Sequence, residues 1–156
     1  MAEENLSGRQ AIPAKESAVP KKKDWVQAKK GAATEHWKQE PDDHDFPAAA
    51  DYLSLLLPEQ MGASLVVRLK GVEMFERKAK DLLRANRLPL LARDNPHVAA
   101  DLKRVASGQR LSPVLLVRGQ AKKGLPLLVA DGYHRICASY HLDENADIPC
   151  RLVDLA

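Results

Sequence analysis

The residues of this chain that could do chemistry lie together in Val129-Ala130-Asp131-Gly132-Tyr133-His134-Arg135. A branched apolar run reaches Asp-Gly, and His-Arg follows at once on a predicted short helix from Tyr133 to about Leu142, with Ile136, Cys137 and Tyr140 on one side. The first N–H groups of a helix have no partner within it, and the helix dipole puts partial positive charge at the same end. Such a terminus is an anion site. Gly132 lets a ligand approach the backbone, and Arg135 is suited to gripping phosphate through two parallel hydrogen bonds. His134 titrates within reach of neutrality and would donate to a phosphate oxygen or a leaving group. Asp131 has two readings, as the N-cap of the helix or as a carboxylate that orients His134 or a metal-bound water. Tyr133 either joins the site or packs its ring on the core.

The neighbouring segments have to hold this turn in place. Pro113-Val-Leu-Leu-Val117 reads as a central strand, Gly119 to Gly124 as a loop, and Leu127-Leu-Val-Ala130 as its hairpin partner. Ile148 to Val153 is a final strand. Asp94-Asn-Pro96 opens a helix whose buried stripe is Val98, Leu102 and Val105 and which ends at Gly108. Its outer face carries Lys103 and Arg104, with Arg110 just beyond; Arg104 is the member expected to reach phosphate.

Upstream, residues 46–87 read as a helical extension. One helix is expected from Pro47 to Leu57, with Asp45 as its cap, and a second from Pro58 to about Leu69. A third would run to about Asn86 on the stripe Val72, Phe75, Ala79, Leu82, Leu83. Residues 1–45 mix Ala, Pro, Lys, Glu and Asp without a sustained apolar period, so they read as a flexible, disordered charged tail. Trp25 and Trp37 punctuate it, either as stacking platforms for nucleic acid or simply as part of a solvated arm.

Composition narrows the classes. The chain has 156 residues, 45% hydrophobic but 4% aromatic, which suits one modest core built from Leu, Val and Ala. The tail holds eight Lys/Arg against nine Asp/Glu and the remainder sixteen against twelve, so the expected domain at 46–156 is mildly basic, as a phosphate-bearing partner favours. No apolar run approaches a membrane span and the N-terminus lacks a secretory pattern, so a cytoplasmic protein without membrane contact is expected. Cys137 and Cys150 form no CxxC pair and read as buried structural thiols, which leaves no metal site in the pattern. Oligomeric state leaves no mark on the sequence.

The stretch from about Asp101 to Val153 resembles the ParB/sulfiredoxin-like superfamily. The resemblance rests on Gly108, Pro113 to Val117, Gly132-Tyr133-His134-Arg135, Ala138 and Ile148-Pro149, about a third of the chain, and is nearest to members with an Asp-Gly-x-His-Arg turn. It implies a small α/β domain that binds nucleotide or nucleic-acid phosphate at Gly132, Tyr133, His134, Arg135 and Arg104. Magnesium would accompany the nucleotide. His134 and Asp131 would be catalytic if the chain performs phosphoryl transfer, NTP hydrolysis or nuclease chemistry, as some relatives do. A non-enzymatic nucleotide- or DNA-binding regulatory role, as in partition proteins, is the other implication. Tyr133 stands where sulfiredoxins carry their catalytic cysteine, so the resemblance does not extend to sulfinic acid reduction. Nor does the chain show the helix-turn-helix module that follows in partition proteins.

Overall fold

A computed structural model describes residues 36–155. Within them, five helices surround a four-stranded mixed sheet, which makes the domain α/β as expected. The helices are α1 (Asp45–Leu53), α2 (Glu59–Gly71), α3 (Ala79–Asn86), α4 (Pro96–Ala106) and α5 (Tyr133–Leu142). The strands are β1 (Phe75–Lys78), β2 (Val114–Val117), β3 (Leu128–Asp131) and β4 (Asp147–Val153), in the spatial order β1-β4-β2-β3. β2 runs parallel to β4, while the two outer pairings are antiparallel. No helix among the described residues is long and apolar enough to cross a membrane.

The central strand explains the layering. All four residues of β2 are buried, and successive side chains point to opposite faces of a sheet. Val114 and Leu116 join Val98, Leu82 and Ile136 in a core beneath α3, α4 and α5. Leu115 and Val117 join Leu53, Leu65 and Leu69 in a second core beneath α1 and α2. A continuous apolar run at Pro113–Val117 is therefore what a strand covered on both faces requires. Cys137 and Cys150 are both buried, and burial pushes the Cys150 thiol up to about 12.

Two upstream expectations change. The stripe expected to form one helix to Asn86 divides at Lys78, because Phe75–Lys78 pairs as a strand with β4. The three-and-four spacing is real only from Ala79 onward. Before it, the unpaired edge of β4 captures a segment whose middle residues Glu76 and Arg77 are exposed and charged, a composition suited to an edge strand. The first amides of α3 are then satisfied by Ala146 O and Glu144 O, both at 2.9 Å.

The expected tail also ends earlier than residue 45. Trp37 is 5% exposed and packs in the core under α3 to α5, while the Leu111 amide donates to His36 O and the Lys38 amide to Leu111 O. Arg151 on β4 donates to Glu40, Leu69 O and Lys70 O, tying the incoming chain to the end of α2. Trp37 is thus a core residue and not an open stacking platform: its indole fills a gap that a chain poor in aromatics has few other means to fill. The remainder of the expected tail, with Trp25, lies outside the described residues.

Candidate functional site

β3 delivers the turn. Its register against β2 slips between Leu115 and Leu116: Leu115 pairs with Asp131 and Leu116 with Val129, which leaves Ala130 as the extra residue of the strand. A bulge of this kind bends the strand end and re-aims the side chain it carries. Gly132 follows at φ 116°. A Cβ there would lie 2.5 Å from Val114 Cγ1 and 3.0 Å from Arg135 Nη2, so both the backbone conformation and the close packing require glycine.

The turn opens α5 without a side-chain cap. Ile136 is the first amide of the helix to find a carbonyl, Gly132 O at 3.0 Å. Asp131 does not cap the helix. Its Oδ2 accepts from Arg135 Nη2 at 2.9 Å, one helical turn on. Arg135 Nη2 also approaches Asp45 Oδ2 at 3.4 Å and Pro113 O at 3.3 Å. Ser112 Oγ donates to the same Asp45 carboxylate and accepts from the Asp42 amide at 2.9 Å.

These residues border a cavity of about 450 Å³. Asp131, Gly132, His134, Arg135 and Arg104, five of the six expected site residues, line it together. Tyr133 does not: its hydroxyl donates to Pro89 O and its ring packs on the core beneath α3 to α5. Of the two readings of Tyr133, the packing one holds, because α5 turns that side chain toward the 88–91 segment. The opposite wall holds His97 and Asp101 on α4, and the mouth holds Lys38, Asp42, His44 and Arg110.

Charge in the cleft is mostly neutralised pairwise. Arg104 Nη1 lies 2.5 Å from Asp101 Oδ1, and Lys38 Nζ lies 2.7 Å from Asp42 Oδ1. Arg135 serves Asp131 and Asp45. Arg110 is exposed and has no ionic partner among the described residues. The Asp131 carboxyl is pushed up from 3.8, chiefly by burial and further by the Asp45 carboxylate, against the opposing pull of Arg135. His134 is pushed below 6.5 by burial and by His97, whose ring centroid is 4.7 Å away; Arg135 adds to this and Asp101 opposes it. At neutral pH His134 is an uncharged imidazole that can accept a proton.

No family model, curated protein or solved structure matches this chain.

Sequence reasoning missed Asp45, Ser112, His97 and Asp101. Asp45 sits at a helix start, where a cap is the ordinary reading, and nothing in its local sequence shows that the carboxylate turns inward to a residue 90 positions on. A signal did exist for the α4 pair. His97 and Asp101 are four apart, so one face of a helix starting at Pro96 presents both.

One grouping among the described residues brings metal-ligating atoms within 4.8 Å of one another: Asp42, His44 and Asp45. It fits magnesium poorly. Magnesium takes near-octahedral oxygen ligands, whereas this set includes an imidazole, and its carboxylates already serve Lys38, Ser112 and Arg135.

Proposed function

We propose that the cleft at Gly132 binds a phosphate-bearing ligand, a nucleotide in the first instance, with its phosphate at the start of α5. One observation carries this reading: the helix opens uncapped onto a cavity of about 450 Å³, and the carboxylate placed to cap it is held by Arg135 instead. Unpartnered amides at a helix start favour an anion, and the dipole adds to them. Arg110, with no ionic partner among the described residues, and Arg104, whose Asp101 partner lies inside the same cleft, supply positive charge. Arg135 contributes differently from the sequence expectation: it braces Asp131 and Asp45 behind the turn, and its guanidinium stays close to Gly132. A magnesium ion would enter on the ligand's own phosphates.

His134 is the residue for proton transfer in phosphoryl transfer or phosphodiester cleavage. It lines the cleft beside Gly132 and is neutral at physiological pH, as a general base must be. A second reading, binding without turnover, is favoured by the way Arg135 occupies Asp131 and leaves that carboxylate no free role in chemistry.

A thermal-shift panel of inorganic phosphate and nucleoside mono-, di- and triphosphates, with and without magnesium, tests the proposal. A ligand at one hundred times its Kd adds about 2.7 kcal/mol of stability. The shift should be lost in an Arg104→Ala/Arg110→Ala variant that still folds. A flat response across the whole panel would overturn the reading. Turnover that survives His134→Ala would leave only the binding role.

A further inference from the structure

A second concavity lies at the opposite end of the β2–β3 hairpin. Ser112, before β2, and Asp131, ending β3, reach the Gly132 cleft; Arg118, after β2, and Leu127, before β3, reach this other groove. Its volume is about 560 Å³. The floor is aliphatic: Leu82 and Leu116 are buried, Leu127 and Leu152 are half-buried, and Leu125 stands 44% exposed at the lip. Arg77, Arg84, Arg87 and Arg118 line the walls against one lining carboxylate, Asp81.

The groove is built in advance of any partner. Arg87 is the one non-glycine residue with positive φ among those described, at 60°, where glycine would be relaxed. Its Nη1 donates to Gly124 O at 3.1 Å, which fastens the end of α3 to the hairpin loop. The Leu127 amide donates to Ala85 O at 3.1 Å and closes the same junction. Gly119 lets the two arms of the loop touch, since a Cβ there would stand 2.7 Å from Leu125 O.

We propose that this groove binds an acidic peptide segment of a partner protein, a bulky aliphatic or aromatic side chain flanked by Asp or Glu. The leucine floor takes the apolar side chain, and the guanidinium forks take the carboxylates in bidentate pairs. Charge complementarity decides the flanks. The groove's own ion pairs, Arg84–Asp81 at 3.3 Å and, next to it, Arg118–Asp154 at 2.6 Å, are solvent-exposed and therefore weak, so a partner's carboxylates can replace them. Single-stranded nucleic acid would also meet the charge, but it stacks its bases on open aromatic faces. Phe75 is the aromatic side chain of this groove, and the Arg77 guanidinium already covers it, 4.5 Å from the ring centroid.

Fluorescence anisotropy on the full chain decides the matter. The probe is a labelled peptide, Glu-Glu-Leu-Glu-Phe-Glu-Glu, compared with one carrying Ser for every Glu, one carrying Ser for Leu and Phe, and a single-stranded oligonucleotide of similar length. The probe should bind about tenfold or more tighter than either control peptide and than the oligonucleotide. An Arg84→Glu/Arg118→Glu variant should weaken it by about tenfold or more at an unchanged Tm, because the two side chains are 85% and 62% exposed. Leu125→Asp should weaken it as well, through the lip. No binding of the probe, equal binding of either control, tighter binding of the oligonucleotide, or indifference to the double charge reversal would each overturn the proposal.

Discussion

Arg135 and Asp45, 90 residues apart in the chain, meet behind the Gly132 turn, where Nη2 lies 3.4 Å from Asp45 Oδ2. The contact joins α1 to α5 across the start of β2, where Pro113, the residue before the strand, offers its carbonyl to the same guanidinium at 3.3 Å. Asp45 is 3% exposed at its side chain and Arg135 17%, so the charges are largely withdrawn from water and must satisfy one another. The geometry of the cleft and the attachment of the N-terminal helix are therefore one electrostatic unit.

Removing Asp45 should consequently damage stability more than its place in a first helical turn suggests. Asp45→Ala leaves Ser112 without its acceptor and Arg135 with one carboxylate. The expected loss is roughly 3 kcal/mol, near the lower end for breaking a buried pair, since Asp131 remains. Denaturant midpoints measure it, and a cycle with Arg135→Met should show strong coupling. A loss like that of a surface carboxylate, with additive double mutants, would refute the unit.

Asp131 gives this unit a pH signature. Its folded pKa is raised above 3.8, mainly by burial, so the folded state holds a proton that the unfolded chain releases. Stability from that proton is present below about 4 and is lost as pH rises through the folded value. Urea unfolding of the wild type and Asp131→Asn across pH 3 to 7 should show the difference between them changing in that window and flat above it. A difference that grows in favour of the wild type as pH rises would reverse the sign and show Arg135 prevailing over burial.

The parts of the fold legible in sequence were those whose local pattern and tertiary demand agree. The run Pro113–Val117, the helix opened by Asp94-Asn-Pro96 and the helix Tyr133–Leu142 all lie where periodicity and turn residues place them. Failures came where a distant partner decided. Phe75–Lys78 obeys a helical stripe until β4 offers it a ladder, and Trp37 sits in a polar stretch that Leu111 pins to the domain. In the site, Asp131, Gly132, His134 and Arg135 were legible because one turn carries them. Asp45 was not, because only the packing of α1 against β3 brings it there, and Ser112 showed no role until that carboxylate arrived to accept from it.

Trp37 should therefore behave as a core residue. Trp37→Ala is expected to cost about 3–5 kcal/mol, the usual range for truncating a buried large aromatic. In a Trp25→Phe background, Trp37 emission should be blue-shifted and should move red on unfolding. A chain started at Phe46, the boundary composition suggests, loses Trp37, Glu40 and Asp45 together and should fail to give a cooperative transition. Normal unfolding of that shortened chain would show that residues 36–45 are dispensable.

Gly132→Ala addresses the turn itself. At φ 116° an alanine is strained, and its methyl would meet the Val114 side chain at 2.5 Å, in the middle of the sheet. Together these should cost more than the roughly 1–3 kcal/mol of an unfavourable backbone conformation alone. Val114→Ala should recover only the share of the clash due to Cγ1, because Val114 Cβ would still stand 2.9 Å from the new methyl and the dihedral penalty stays.

His134 offers a direct reading of the electrostatics in the cleft. Burial and the His97 ring hold its pKa below 6.5, while Asp101 pulls the other way. An NMR titration of the imidazole should place the midpoint under that value, with His97→Ala moving it up and Asp101→Asn moving it down. Because the depressed pKa means the unfolded chain takes up the proton first, the His134 contribution to stability erodes as pH falls from 6.5 through the folded value. A bound phosphate would invert this: a dianion beside the ring favours the imidazolium, so saturating phosphate should raise the midpoint. A His134 midpoint that ignores phosphate, while Arg104 and Arg110 resonances respond to it, would place the anion away from the start of α5.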